Sequence, residues 1–190
     1  MLELVRPAQK YLPGYINALE RGWSPNNERP DAGWEELDQI EKDPAGFLDA
    51  MHDPEGKGPP VKMPDGSFVP RLPGYRKWLW HAEFCGSIGF RWQPGTAELP
   101  SYCLGHIGYA VVPWKRRRGY ATRALRLLLP EAKALGLPYV EITADAGNAI
   151  SHRIIRANGG VLVEEFAKPA QFGGALAHRY RIALNPARKK

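Results

Sequence analysis

The sequence predicts an α/β (α+β) fold, a mixed sheet with helices packed on it, and three observations carry that expectation. Short strand-like runs separated by Pro/Gly turns crowd the stretch from Lys77 to Val112. At Pro113 the hydrophobic period switches, and Ala121, Ala124, Leu125, Leu128, Ala132 and Leu135 take up the three/four spacing of an amphipathic helix. From there the order runs strand, helix, strand, helix, strand, which places helices against a sheet. A chain of 190 residues suits one domain with a real core, and 44% hydrophobic content with six Trp excludes a disordered chain.

Taken in order, Leu2 to Arg6 reads as a first strand closed by Pro7. A helical region from about Ala8 to Arg21 is weakened or split at Pro13-Gly14. Gly33 to about Met51 reads as two short helices, because Asp43 can cap and Pro44 can take a first helical position. His52 to Tyr75 is dense in Pro and Gly and reads as a long loop, either a lid beside the substrate or an insertion without a role. Lys77 to Ala82 and Cys85 to Trp92 are two strands around a turn at Glu83 to Gly86, and Leu104 to Val112 is the next strand. The amphipathic helix that follows ends at Gly136, with Pro130 expected to kink it. Tyr139 to Thr143 is a strand, and Asn148 to Ala157 a helix ended by Asn158-Gly159-Gly160. Val161 to Val163 and Arg179 to Leu184 complete the sheet.

Bulk properties narrow the function classes. The formal charge of +6 is local: Lys115, Arg116, Arg117, Arg118, Arg188, Lys189 and Lys190 hold seven positive charges, and the remainder is close to neutral. Residues 185–190 read as a basic, solvated tail. The other cluster sits at a predicted helix start, and no nucleic-acid motif accompanies it, which argues against a nucleic-acid partner. Cys85 and Cys103 are too few for a disulfide framework and lack metal-ligand spacing, so no metal is expected. No run of roughly 18 apolar residues and no signal-peptide apolar region is seen, which makes a cytoplasmic protein without a membrane partner the expectation.

Between Val111 and Ala121 a strand runs into a helix N-terminus through a basic turn that contains a glycine. Free N–H groups at a helix start, the positive end of its dipole and guanidinium groups all attract a phosphate. Within this turn, Arg116-x-x-Gly119-x-Ala121 resembles the Gln/Arg-x-x-Gly-x-Gly/Ala signature of the GCN5-related N-acetyltransferase (GNAT) superfamily. Asn148-x-x-Ser151 followed by Asn158-Gly159-Gly160 is similar to the family's next coenzyme-side helix. Gly105-His106-Ile107-Gly108-Tyr109 and the ending Arg179 to Leu184 resemble a subgroup of uncharacterised bacterial predicted acetyltransferases. The likeness runs from about Trp78 to Leu184, while the N-terminal part matches only in its order of elements.

The resemblance implies a mostly antiparallel sheet of about seven strands, splayed between the fourth and fifth, in a single domain of residues 1–190. Residues 76–184 would form the coenzyme-binding core and residues 1–75 the acceptor side. Acetyl-CoA would be the co-substrate and an amine of a small molecule or peptide the acceptor. Backbone groups near Ala110, Val111 and Val112 would hold the pantetheine arm, with Asn148 and Ser151 touching it. N–H groups of Arg117, Arg118, Gly119, Tyr120, Ala121 and Thr122 would carry the pyrophosphate, leaving Arg116, Arg117, Arg118 and Lys115 for the other phosphates. The N–H near Val112 would polarise the thioester carbonyl. His106, whose ordinary pKa suits neutral pH, and Glu83 are both candidates for the base. The family's tyrosine acid falls on Ile155, which leaves Tyr180 or water as the proton donor. That departure also admits a rival reading, an acyl-CoA-binding sensor with little catalysis. The acceptor, the role of residues 52–75 and the oligomeric state, a homodimer included, stay open at this level.

Overall fold

The computed structural model describes residues 1–184, and the basic tail expected at 185–190 lies outside them. β1 (Glu3–Val5) leads through a short 3₁₀ turn at Gln9–Tyr11 into α1 (Leu12–Glu20), where Pro13 sits at the helix start and does not split it. α2 (Ala32–Lys42) and α3 (Pro44–Ala50) meet at Asp43, whose carboxylate accepts a hydrogen bond from the Gly46 N–H at 2.9 Å.

The Pro/Gly stretch is not bare loop. It carries β2 (His52–Asp53) and a small hairpin of β3 (Val61–Lys62) and β4 (Phe68–Val69). β5 (Gly74–His81) and β6 (Glu83–Arg91) then form a tight hairpin. Its turn is at Ala82, with φ of 62°, not at Glu83 to Gly86 as the sequence suggests. Gly86 lies inside β6, where an added Cβ would stand 2.3 Å from the Ala110 carbonyl oxygen of β7 (Ile107–Val111). Close backbone approach is what that glycine supplies.

α4 (Tyr120–Ala134) runs through Pro130 and ends before Gly136, which takes a φ of 80°. β8 (Tyr139–Asp145), α5 (Ala149–Arg156), β9 (Val161–Ala167) and β10 (Leu176–Ala183) follow.

Seven longer strands, β1 and β5 to β10, divide into two antiparallel sheets: β1-β5-β6-β7, and β8-β10-β9. The break falls between β7 and β8, the fourth and fifth of the seven. One apolar cluster joins both sheets to α4 and α5 through Ile88, Phe90, Leu125, Leu128, Val140 and Ile155. A second, aromatic cluster sits under α1 to α3, where Tyr15 stacks on Trp78 at 4.5 Å between ring centroids. The first cluster bridges the break between the sheets, and the second anchors α1 to α3 on the β1-β5-β6-β7 sheet.

Candidate active site

At its narrow end the break between β7 and β8 is closed by His106. The His106 N–H donates to the Glu141 carbonyl at 2.8 Å, and the Glu141 N–H donates to His106 Nδ1 at 3.0 Å. A side chain thus replaces one backbone partner where two strands begin to diverge. His106 lies just before β7 and is fully buried, and burial pushes its pKa down to about 4. At neutral pH the ring is uncharged with Nδ1 as acceptor, so Nε2 holds the hydrogen and has no partner.

Further along, the pairing phase decides which backbone groups face the gap. Val112 N–H donates to the Cys85 carbonyl at 3.1 Å, so Val112 and, two residues back, Ala110 turn their polar groups toward β6. Neither is free to hold a ligand through its N–H, contrary to the expectation from sequence. Tyr109 and Val111 face the open edge. The Val111 carbonyl accepts from Arg116 Nε at 3.2 Å, and the Tyr109 carbonyl accepts from Asn27 Nδ2 at 3.1 Å.

The gap widens toward the basic turn. Arg117 at φ 61° and Gly119 at φ 72° are both left-handed, which turns successive N–H groups toward one concavity. No side chain caps α4, and its first intrahelical bond is Arg123 N–H to the Gly119 carbonyl at 3.0 Å, so the N–H groups of Tyr120, Ala121 and Thr122 are left over. Arg116, Arg117 and Arg118 are exposed, and among the described residues none makes an ion pair. Lys115, by contrast, is held by Glu83.

On the other side the gap opens into a cavity of about 490 Å³. Its walls come from the α1–α2 loop, the β3–β4 hairpin, β6, β7 and β8, together with Asn148 and Ser151 of the α5 start. Asn148 caps its helix by accepting from the Ser151 N–H at 3.0 Å, which leaves its amide nitrogen and the Ser151 hydroxyl for the cavity. Two acids on the wall, Glu28 and Asp145, both grip the buried ammonium of Lys168, at 3.0 and 2.8 Å. Burial works against the Lys168 charge, but these bonds outweigh it and hold its pKa above the usual range.

None of the three side chains that the sequence offers for catalysis lines this cavity. His106 is sealed and its Nδ1 occupied. Glu83 stands at the β5–β6 turn beside the basic turn, where the Lys115 hydrogen bond keeps its carboxyl below the usual range. Tyr180 is buried on β10, and its hydroxyl pairs with His152 Nδ1 at 3.0 Å. His152 Nε2 lies 3.1 Å from the Ala146 carbonyl, which only accepts, so that nitrogen carries a hydrogen and the Tyr180 hydroxyl is engaged by Nδ1 of the same ring. Ile155, at the family's acid position, is fully buried core.

Tyr109 escaped the sequence reading. It lines the cavity with its hydroxyl buried beside that of Ser151, and burial pushes its pKa up while the Ser151 contact pulls the other way. Strand alternation along Gly108-Tyr109-Ala110 was the available signal, since it turns Tyr109 away from the face that carries Ala110.

Residues 68–161 match the family described as acetyltransferase (GNAT) domain. No curated protein matches the chain by sequence. Among solved structures the chain is similar to the ribosomal L7/L12 alpha-N-protein acetyltransferase RimL in complex with coenzyme A, with a TM-score of 0.62 at 13% identity over 96% of this chain and 93% of that one. The microcin C7 self-immunity acetyltransferase MccE, in complex with acetyl-CoA and AMP, gives 0.59 at 14% identity over 96% and 92%. An acetyltransferase from Agrobacterium tumefaciens gives 0.54 at 19% identity over 94% and 90%. At such identities these likenesses speak for the fold.

Proposed function

Because the chain belongs to the GNAT superfamily of acetyltransferases, we propose that it moves the acetyl group of acetyl-CoA to an amine of a small molecule or peptide. The observation that carries this reading is the gap between β7 and β8, which joins a left-handed basic turn at one end to a cavity at the other. A long ligand with a phosphate-bearing end and a thioester end needs such a passage.

The residues present suit that ligand. The spare N–H groups of Arg117 to Thr122 and the unpaired Arg116, Arg117 and Arg118 would take the phosphates. The open edge of β7 at Tyr109 and Val111, faced by Asn148 and Ser151, would receive the pantetheine arm as an added strand. The Val111 N–H then becomes the backbone donor for the thioester oxygen, in place of the engaged Val112.

Proton movements follow from what lines the cavity. The Tyr109 hydroxyl keeps its proton, stands beside the Ser151 hydroxyl, and would give that proton to the departing thiolate. Glu28 and Asp145 share one ammonium, so that cluster alone carries one excess negative charge, which would attract the acceptor amine and receive its proton through water. The N-terminal helices and residues 52–75 would form the acceptor side. A sensor with little catalysis, the reading that Ile155 and the lack of an obvious base admit, draws less support beside a cavity lined by Tyr109, Glu28 and Asp145.

Two measurements test the reading. Acetyl-CoA at millimolar concentration should raise the melting temperature by mass action. A panel of amines should include one that makes the chain release free thiol from acetyl-CoA. No thermal shift at any concentration would sink the coenzyme assignment, and a shift without thiol release from any amine would leave the sensor.

A further inference from the structure

The face of β5, β6 and β7 that looks toward α1 to α3 has a gap in its side chains. Register places Arg76 beside Gly89 and Gly89 beside Gly108, so two glycines sit side by side on that face. Neither has a positive φ, so no turn geometry demands glycine at either position. Glycine inside a strand weakens it, which makes an adjacent pair costly unless the missing side chains serve something. A Cβ on Gly89 would find nothing closer than 3.8 Å, and one on Gly108 would meet only Arg91 Nη2, at 3.1 Å. The result is a hollow in the cavity floor, walled on one side by the Arg91 guanidinium.

The cations around the cavity are not alike. Arg76 is bound by Glu36 at 2.8 Å, Lys62 at 2.8 Å by Glu35, which also holds Arg29, and Arg71 by the Pro59 carbonyl at 2.9 Å with Asp53 at 3.9 Å. Arg91 lines the same cavity, is exposed to it and to solvent and, among the described residues, makes no ion pair and no side-chain hydrogen bond. Nor do the coenzyme phosphates require it. Their turn follows the far end of β7, and from Gly108 to Val112 the strand alone spans roughly 13 Å.

Resting on the transferase reading, we infer that the acceptor amine also carries an anionic group, a carboxylate or a phosphate monoester, which occupies the hollow over Gly89 and Gly108. Arg91 is its specificity-determining contact. The planar fork of a guanidinium matches two oxygens of either anion. The opposite charge lies at the mouth of the gap, where Glu28 and Asp145 outnumber Lys168. An acceptor with one cationic and one anionic end fits the two.

The test is calorimetric titration of the full chain saturated with coenzyme A, using pairs of probes that differ only in the anion: glycine against glycinamide, and 2-aminoethyl phosphate against ethanolamine. At least one anionic member should bind about tenfold or more tightly than its neutral partner, the difference expected of a charge-assisted contact. Which pair shows it tells carboxylate from phosphate. Arg91→Gln should erase the preference while leaving the thermal shift from coenzyme A intact. Gly89→Val, allowed by its backbone and by open space, should keep the fold and lose anionic binding by filling the hollow. Equal affinity within both pairs, a preference that survives Arg91→Gln, or no binding of either anion at any soluble concentration overturns the inference. Absence of any coenzyme A stabilisation of the unaltered chain is a different failure and strikes the transferase reading.

Discussion

The two ends of the gap between β7 and β8 handle charge in opposite ways. At the basic turn three arginines stand exposed and, among the described residues, without a carboxylate partner, next to a helix start with spare N–H groups. At the cavity nearly every charged group is already engaged: Arg76 by Glu36, Asp53 by the N–H groups of Lys57 and Gly58, Lys168 by two acids. An end open to water can tolerate unpaired charge cheaply, because solvent screens it, whereas a half-enclosed wall must compensate charge or leave it for a ligand. The difference teaches where selectivity resides. Attraction at the basic turn is collective and coarse, while on the cavity wall single residues decide.

The largest loss should follow from spoiling the turn. In Gly119→Val a β-branched side chain is forced to a φ of 72° and stands above the spare N–H groups of α4. No protein atom lies within 4 Å of the added Cβ, so packing inside the chain does not oppose the change. Affinity for coenzyme A should fall about 100-fold, the equivalent of roughly 2.7 kcal/mol, as several charge-assisted contacts are displaced together. Calorimetric titration reads this directly. Undiminished affinity in a folded variant would mean that the phosphates bind elsewhere.

That turn was legible because its information is local: Arg116, Gly119 and Ala121 fall within six residues of one strand-to-helix junction. The same holds for the Asp43-Pro44 boundary and the Asn148 cap, each a short-range hydrogen-bond rule. The cavity was not legible, since its floor depends on which residue of β6 lies opposite which residue of β7. Gly89 and Gly108 become neighbours only through a register that strand patterns do not state. Proton-handling groups failed for a related reason. His106 and Tyr180 are titratable residues at suitable places in the chain, but burial and partners, which no spacing reveals, put both out of reach of the cavity. The turn between β5 and β6 slipped as well, because Ala82 takes a left-handed conformation that glycine-seeking rules assign elsewhere.

A smaller loss, confined to the chemical step, is expected for Tyr109→Phe. The hydroxyl sits beside that of Ser151, which lines the cavity and can turn to water there, so its removal strands no buried group and should not destabilise the fold. If it gives the thiolate its proton, turnover should fall about 10- to 100-fold with KM for acetyl-CoA nearly unchanged, at the low end for acid catalysis because a thiol leaves tolerably without help. Burial holds the Tyr109 pKa above the ordinary value for tyrosine, so the acid form persists throughout the neutral range. Turnover in the unaltered chain should therefore show no alkaline fall near pH 8. An unchanged rate in Tyr109→Phe would hand the acid role to water.

The smallest effect on turnover belongs to His106, at the narrow end that both regions share. Its Nδ1 takes the Glu141 N–H, so its contribution is to hold β7 and β8 together where they begin to part. The folded-state pKa of about 4 lies below the ordinary value of roughly 6.5. Between those two values the unfolded chain binds more protons than the folded one, and stability therefore rises with pH there. In the unaltered chain this contribution is complete above about pH 6.5 and drains away as the pH falls toward 4. Replacing His106 with Gln removes a titrating group but offers an amide oxygen that reaches less well, so the buried Glu141 N–H loses some or all of its bond, at a cost of about 1 to 3 kcal/mol. Denaturant unfolding from pH 4 to 8 should show a lower plateau above pH 6.5 for the variant and a shallower acid slope. Turnover at saturating substrate, measured well below the melting temperature, should remain within about twofold of the unaltered enzyme. A loss of 100-fold at unchanged stability would instead bring the imidazole back into the chemistry, and would require the narrow end to open during the reaction.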